Sequence, residues 1–246
     1  MKKNTRAILL ILLGAFISFL SCEDTTSSEN PVPGKVHLID KSPDTVTVET
    51  GIDAEYIVGS VPPRDGIIIQ WHPVQDNDLT GYRVYRSTSD SLTAFAMIAT
   101  VRTQSVPGRV DTSYFDKSAI AGTLTRYYYR VSAEDAEQEG PRSRSDYYTL
   151  EEICIPRIPN ISTNFDGTFQ WESPTNHTGN FIFRLSKQTL ESVGVRELHD
   201  IYTHEVSLSE LGLDSLDAGN YQWRIDMIGN DENSGSESDW LSFSVP

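Results

Sequence analysis

Five histidines, two cysteines and 35 acidic residues are the groups of this 246-residue chain able to act as bases, nucleophiles or ligands. The histidines are His37, His72, His177, His199 and His204. His199 and His204 lie five apart, and along a strand an odd spacing turns side chains to opposite faces, which is poor metal geometry. The chain has no Gly-x-Ser-x-Gly elbow, His-Glu-x-x-His pair, phosphate loop or Gly-x-Gly-x-x-Gly turn. Pairs of carboxylates are abundant in so acidic a chain and therefore single out no site, whereas glycosidase chemistry needs two carboxyls fixed across a cleft. The acidic run from Gly229 to Asp239 is rich in oxygen ligands, but its spacing is not that of an EF-hand, and it reads as a solvated loop before the last strand. Cys154 sits between Ile153 and Ile155 with no local base or cation, the setting of a buried structural thiol. The residues point away from catalysis and call for no metal and no cofactor.

The elements that must position these groups are short alternating runs broken by turn residues, the pattern of antiparallel sandwiches. The runs repeat. Ile67-Ile68-Ile69-Gln70-Trp71 leads to Gly81-Tyr82-Arg83-Val84-Tyr85-Arg86 and later to Tyr127-Tyr128-Tyr129-Arg130-Val131. Gly167-Thr168-Phe169-Gln170-Trp171 leads to Asn180-Phe181-Ile182-Phe183-Arg184-Leu185 and then to Tyr221-Gln222-Trp223-Arg224-Ile225. Trp71 and Trp171 are 100 residues apart, and Tyr127 and Tyr221 are 94 apart. Two copies of one domain explain this better than one large barrel. Period-two alternation sends Tyr127, Tyr129 and Val131 inward, and Tyr221, Trp223 and Ile225 likewise. The same alternation turns Arg83, Tyr85, Tyr128 and Arg130 outward. These four form a candidate binding face, since Tyr and Arg are enriched in hot spots; the other reading is a cross-strand ladder that stabilises the sheet. The loops 73–80 and 134–144 offer a second contact surface at one end of the same copy.

A formal net charge of -15 and a pI near 4.6 repel phosphate backbones, which argues against a nucleic-acid partner. Lys2, Lys3 and Arg6 precede an uncharged apolar stretch of 14 residues, Ala7 to Leu20, too short to span a bilayer but right for a secretory signal. The ending Phe19-Leu20-Ser21-Cys22 resembles a bacterial lipoprotein signal, with Phe19 where such signals usually carry an aliphatic residue. The resemblance implies removal of residues 1–21, acylation of Cys22 and a flexible tether over 22–35. Cleavage there leaves 17 basic residues against 35 acidic ones, a net of -18, so the acyl chains would hold the membrane without a polybasic patch.

Both halves also resemble fibronectin type III domains. Trp71 and Trp171 match that family's tryptophan on the second strand, Tyr82 and Phe181 its aromatic third strand, and Tyr127 and Tyr221 its sixth-strand tyrosine. The resemblance implies an all-β chain of two tandem immunoglobulin-like sandwiches after the lipoprotein signal, over 36–150 and 151–246. The run Leu213 to Tyr221 resembles that family's turn before the sixth strand, which implies that the Tyr221 hydroxyl bonds back to the backbone as in a tyrosine corner. Between the copies, Leu150 to Pro159 reads as a semi-rigid hinge. The expected role is a non-catalytic binding or adhesion module, anchored by lipid in a bacterial envelope, at the outer membrane, with a protein or glycan ligand. The alternative is a structural subunit or spacer of an envelope complex for secretion or polysaccharide handling.

Overall fold

The computed structural model describes residues 30–102, 112–175, 177–189 and 191–246. Val32 to Pro246 forms one compact unit. Its first half holds β1 (His37–Leu38), β2 (Asp53–Tyr56), β3 (Asp65–His72), β4 (Gly81–Ser87), β5 (Ala96–Arg102), β6 (Ser113–Asp116), β7 (Arg126–Glu134) and β8 (Asp146–Leu150). The second half holds β9 (Ile155–Ile158), β10 (Thr168–Glu172), β11 (Phe181–Lys187), β12 (Ser192–Leu198), β13 (Glu205–Ser207), β14 (Gly219–Ile228), β15 (Ser234–Ser236) and β16 (Leu241–Val245). Each half is a two-sheet sandwich. In the first, β3 is flanked by β6 on one side and by β1 and then β2 on the other, opposite the ladder β5-β4-β7-β8. In the second, β13-β10-β9 faces the ladder β12-β11-β14, with β15 and β16 continuing it beyond β14. The chain is all-β, and this strand order is that of two tandem fibronectin type III-like sandwiches.

The alternation read from the sequence is the alternation of burial. Ile67, Ile69 and Trp71 of β3, and Tyr127, Tyr129 and Val131 of β7, are buried in one core. Phe169, Trp171, Tyr221, Trp223 and Ile225 are buried in the other. Trp71 meets Tyr82 edge-on at 5.2 Å and 62°, and Trp171 meets Phe181 at 5.3 Å and 70°, so the repeat extends to ring geometry. The tyrosine corner expected at Tyr221 forms, and Tyr127 makes a matching bond in the first copy. Tyr221 Oη donates to the Asp217 carbonyl at 3.0 Å, and Tyr127 Oη accepts from Ile120 N at 2.9 Å.

The joint between the halves is not a hinge. β15 pairs in parallel with β8, Ser234 opposite Thr149 and Gly235 opposite Leu150, which merges the two ladders into one nine-stranded sheet. Thr149 N donates to Asn233 O at 3.0 Å and Glu151 N to Gly235 O at 2.9 Å. A Cβ at Gly235 would stand 2.6 Å from the Met227 carbonyl, so only glycine lets these backbones meet. The stretch expected to be a solvated loop therefore contains a buried strand. Pro33, within the stretch read as tether, is also buried.

Candidate functional site

Register places Tyr85 opposite Arg130, Ser87 opposite Tyr128 and Arg83 opposite Ser132, so the four sequence-predicted residues do share the outer face of β4 and β7. Their chemistry is largely spent within the sandwich. Arg83 pairs with Glu134 and, at 2.8 Å, with Glu139. The Arg130 guanidinium lies 4.7 Å from the Phe95 ring centre and donates to Ser91 O at 2.8 Å. Tyr128 is half-buried and lies 5.8 Å from Tyr147. Tyr85 departs from the expectation of an outward-presented ring, being only 5% exposed.

Residues 134–144 close over Tyr85. Glu134 bridges to Glu139, and Asp135 N bonds Gln138 O, which folds the segment back across the sheet. Glu139 Oε1 then accepts from Tyr85 Oη at 2.6 Å, and the Arg142 guanidinium covers the ring at 3.5 Å. Burial pushes the Glu139 carboxyl up, but bonds from Tyr85 and Ser132 and the nearby Arg83 and Arg142 charges hold it below the usual glutamate value. The two loops proposed as a contact surface do meet, through Thr80 N donating to Glu134 O at 2.9 Å.

The equivalent face of the second sandwich carries a dense cluster of buried charge. Arg184 of β11 stands opposite Arg224 of β14, and both are buried. Arg184 Nε pairs with Asp226 at 2.9 Å, and Arg224 pairs with both oxygens of Glu237, at 2.5 and 2.7 Å. The cluster also takes in the first sandwich. The segment between β1 and β2 reaches across, and Arg184 binds its Asp44 carbonyl, its Val46 carbonyl and the Glu49 carboxylate. Arg224 holds the other Glu49 oxygen at 3.1 Å. Glu237 N donates to Asp65 of β3 at 3.1 Å. Burial, with Asp226 and Glu237 beside it, pushes the Glu49 carboxyl up to about 9 despite Arg184. Sequence reading missed this cluster. Its one advance signal was the repeat, which puts two arginines where the first copy has Tyr85 and Arg130.

The reactive groups are otherwise occupied. Cys154 is a buried free thiol 3.5 Å from Ser173 Oγ, and burial pushes it up to about 12. His204, expected to be considered with His199, instead meets His177, Nε2 to Nε2 at 2.9 Å. Gly179 N donates to His177 Nδ1, which makes His177 the Nε2–H tautomer and the donor of that pair. Burial first, and then the neighbouring His204, lower the His177 pKa. Cys22 lies outside the described residues. Among the described residues no helix is long and apolar enough to cross a membrane.

No family model matches the chain, and no curated protein matches it. Among solved structures it is similar to a fibronectin type III-like protein from Clostridium thermocellum, 24% identical over 42% of this chain and 91% of that one, TM-score 0.29. It is similar to a two-domain fibronectin type III segment of chicken tenascin, 14% identical over 78% of this chain and 97% of that one, TM-score 0.26. The chicken interferon gamma receptor alpha chain is 13% identical over 74% of this chain and 92% of that one, TM-score 0.31. The class, a tandem of fibronectin type III-like sandwiches, is defined by strand order and by the two aromatic cores.

Proposed function

We propose that this chain is a lipid-anchored protein of a bacterial envelope whose two sandwiches act together as a rigid, non-catalytic binding module. The observation that carries the reading is the parallel pairing of β8 with β15, which makes one continuous sheet of both copies. A module of this kind presents its loops at a fixed separation, so a partner that engages both copies loses little orientational freedom on binding. The anchor is supported by the basic, apolar and Ser-Cys sequence of residues 2–22. The non-catalytic part is supported by a deeply buried Cys154 and by a histidine pair whose Nε2 atoms are spent on each other. The spacer reading has its own support in Tyr85, whose ring is covered by Arg142 rather than presented.

Protease accessibility on intact cells, beside a Cys22→Ala control, tests the reading. The control is expected to leave the membrane fraction, and the parent chain to be cut from outside. A parent chain that stays protected would move the role to a spacer within a periplasmic complex. A control that stays membrane-bound would remove the anchor from the proposal.

A further inference from the structure

Two loops at one end of the second sandwich are tied together by a pair of imidazoles. His177 lies between β10 and β11, His204 lies between β12 and β13, and their Nε2 atoms stand 2.9 Å apart. Each ring is fixed by its own loop. His177 Nδ1 accepts from Gly179 N at 3.1 Å, so its one proton sits on Nε2 and is donated to His204. His204 has a left-handed backbone, φ 58°, uncommon outside glycine, and its carbonyl accepts from Trp171 N at 3.1 Å. The same two loops are joined by Ile201 N, which donates to the Gly179 carbonyl at 2.9 Å. The Tyr202 ring packs beside His177, 5.7 Å between centres, and lies so close over Gly179 that a Cβ there would meet it at 2.8 Å.

This arrangement has no place for another proton. Both nitrogens of His177 are engaged, one accepting and one donating, so a proton arriving at Nδ1 breaks the bond from Gly179. A proton arriving at His204 Nε2 turns that acceptor into a donor aimed at a second donor. The rings packed against the pair, Trp171, Phe181 and Tyr202, carry no charge to compensate. On the neighbouring strands Glu172 pairs with Arg157, and Glu205 accepts from Gln170. On the loop itself His199 pairs with Glu197, and Asp200 is exposed. Among the described residues no carboxylate bonds either imidazole of the pair.

We propose that His177 and His204 form an acid-released latch: while neutral they hold residues 177–180 and 199–204 together, and protonation of either ring parts the two loops. Burial and the adjacent His204 lower the His177 value, so the unfolded chain takes up the proton more readily than the folded one. The latch therefore contributes fully above about pH 6.5 and is lost as pH falls below it. Acid thus loosens this end of the second sandwich, whereas Glu49 makes the seam respond in the opposite sense.

Hydrogen exchange of the full chain tests the latch at the Ile201 amide, which bridges the two loops. From about pH 8 to about pH 5 its protection, corrected for the intrinsic pH dependence of exchange, should fall about three- to tenfold, the equivalent of one hydrogen bond. Protection of the Val131 amide, in the first core, should stay constant. His204→Asn suits the left-handed backbone but is too short to reach His177, and should show the lower Ile201 protection at both pH values. Unchanged Ile201 protection in the parent chain, or a pH dependence that survives in His204→Asn, would overturn the latch. Should the variant fail to fold, nitrogen NMR of the parent imidazoles decides the matter. His177 is expected as the Nε2–H tautomer at about pH 8 and to take its second proton only below about pH 6.5. A proton on His177 Nδ1 at the higher pH would overturn the proposal.

Discussion

In the first sandwich Tyr85 faces Arg130 across β4 and β7; in the second Arg184 faces Arg224 across β11 and β14. These are equivalent positions. Each is followed on the open side of the sheet by a serine that accepts a hydrogen bond from the central strand, Ser143 from Val131 N and Ser238 from Ile225 N, both at 3.0 Å. The residue before that serine closes the face. In the first copy it is Arg142, stacked on Tyr85, and in the second it is Glu237, paired with Arg224. One geometry thus carries inverted chemistry. The first face is completed by its own loop. The second, with two arginines, pairs them with Asp226 and Glu237 and also draws in the Glu49 carboxyl and two carbonyls from the neighbouring sandwich. The outer face of these strands is a docking slot that one copy plugs for itself and the other uses to hold its partner.

The largest expected effect follows from removing the residue on which the second face depends. Arg184→Ala would strip the buried Asp226 of one of its two arginine partners and the Glu49 carboxyl and the 41–51 segment of their main one, at a cost of about 3 kcal/mol. It should also loosen the seam while both aromatic cores persist, so chemical unfolding should show two transitions where the parent chain shows one. A single transition of unchanged midpoint would mean that the paired strands alone hold the sandwiches together. Arg142→Ala, the equivalent change in the first copy, should cost far less, because the Tyr85 ring it uncovers is amphipathic and tolerates water.

A smaller effect separates the two copies by pH. Glu49 has a folded pKa of about 9 against an ordinary value of 4.5, so folding takes up a proton there. Its contribution is complete below about pH 4.5 and is lost as pH rises toward 9. Asp116, in the first core, behaves oppositely. Burial raises its carboxyl, but bonds from Ser118 and Tyr129 and from Arg86 outweigh that and hold it below the usual aspartate range. Its contribution is present at neutral pH and is lost only as the solution becomes strongly acid. Melting from about pH 5 to about pH 9 should therefore show seam stability falling as pH rises. Glu49→Gln should flatten that slope, and a slope unchanged in the variant would place the titration elsewhere.

The difference between the copies also marks what the sequence could and could not reveal. Trp71, Tyr82, Tyr129, Phe181 and Trp223 announce themselves because period-two burial depends only on neighbours along the chain. The seam depends on residues far apart, such as Glu49 with Arg184, 135 positions on. Its strand, Ser234-Gly235-Ser236, has almost no β-propensity and is held by its fit against Leu150 and Met227. Tyr85 shows the limit of alternation itself. The pattern gives its face correctly, yet burial is decided by the path of residues 134–144, which alternation does not describe. The His177–His204 contact escapes for the same reason, since it joins two loops rather than two strands.

The smallest effect bears on whether the first face is only a ladder. Tyr85→Phe removes one hydroxyl and its bond to Glu139 while keeping the ring under Arg142. A bond to a carboxylate from a buried hydroxyl contributes about 1.5–3 kcal/mol, and the remaining bonds to Glu139 from Ser132 and Arg83 should hold the loss near the lower end. Tyr128→Ala removes a half-buried ring that packs on Tyr147 and should cost a similar amount. If the face is a ladder, the two losses should appear in unfolding measurements and nowhere else. If it recognises a ligand, Tyr128→Ala should weaken capture of that ligand while Tyr85→Phe does not, because only Tyr128 keeps part of its ring in contact with solvent. Equal loss of capture in both variants would mean that the 134–144 loop moves to uncover Tyr85 when the partner binds, and the sealed geometry would then describe the unbound form.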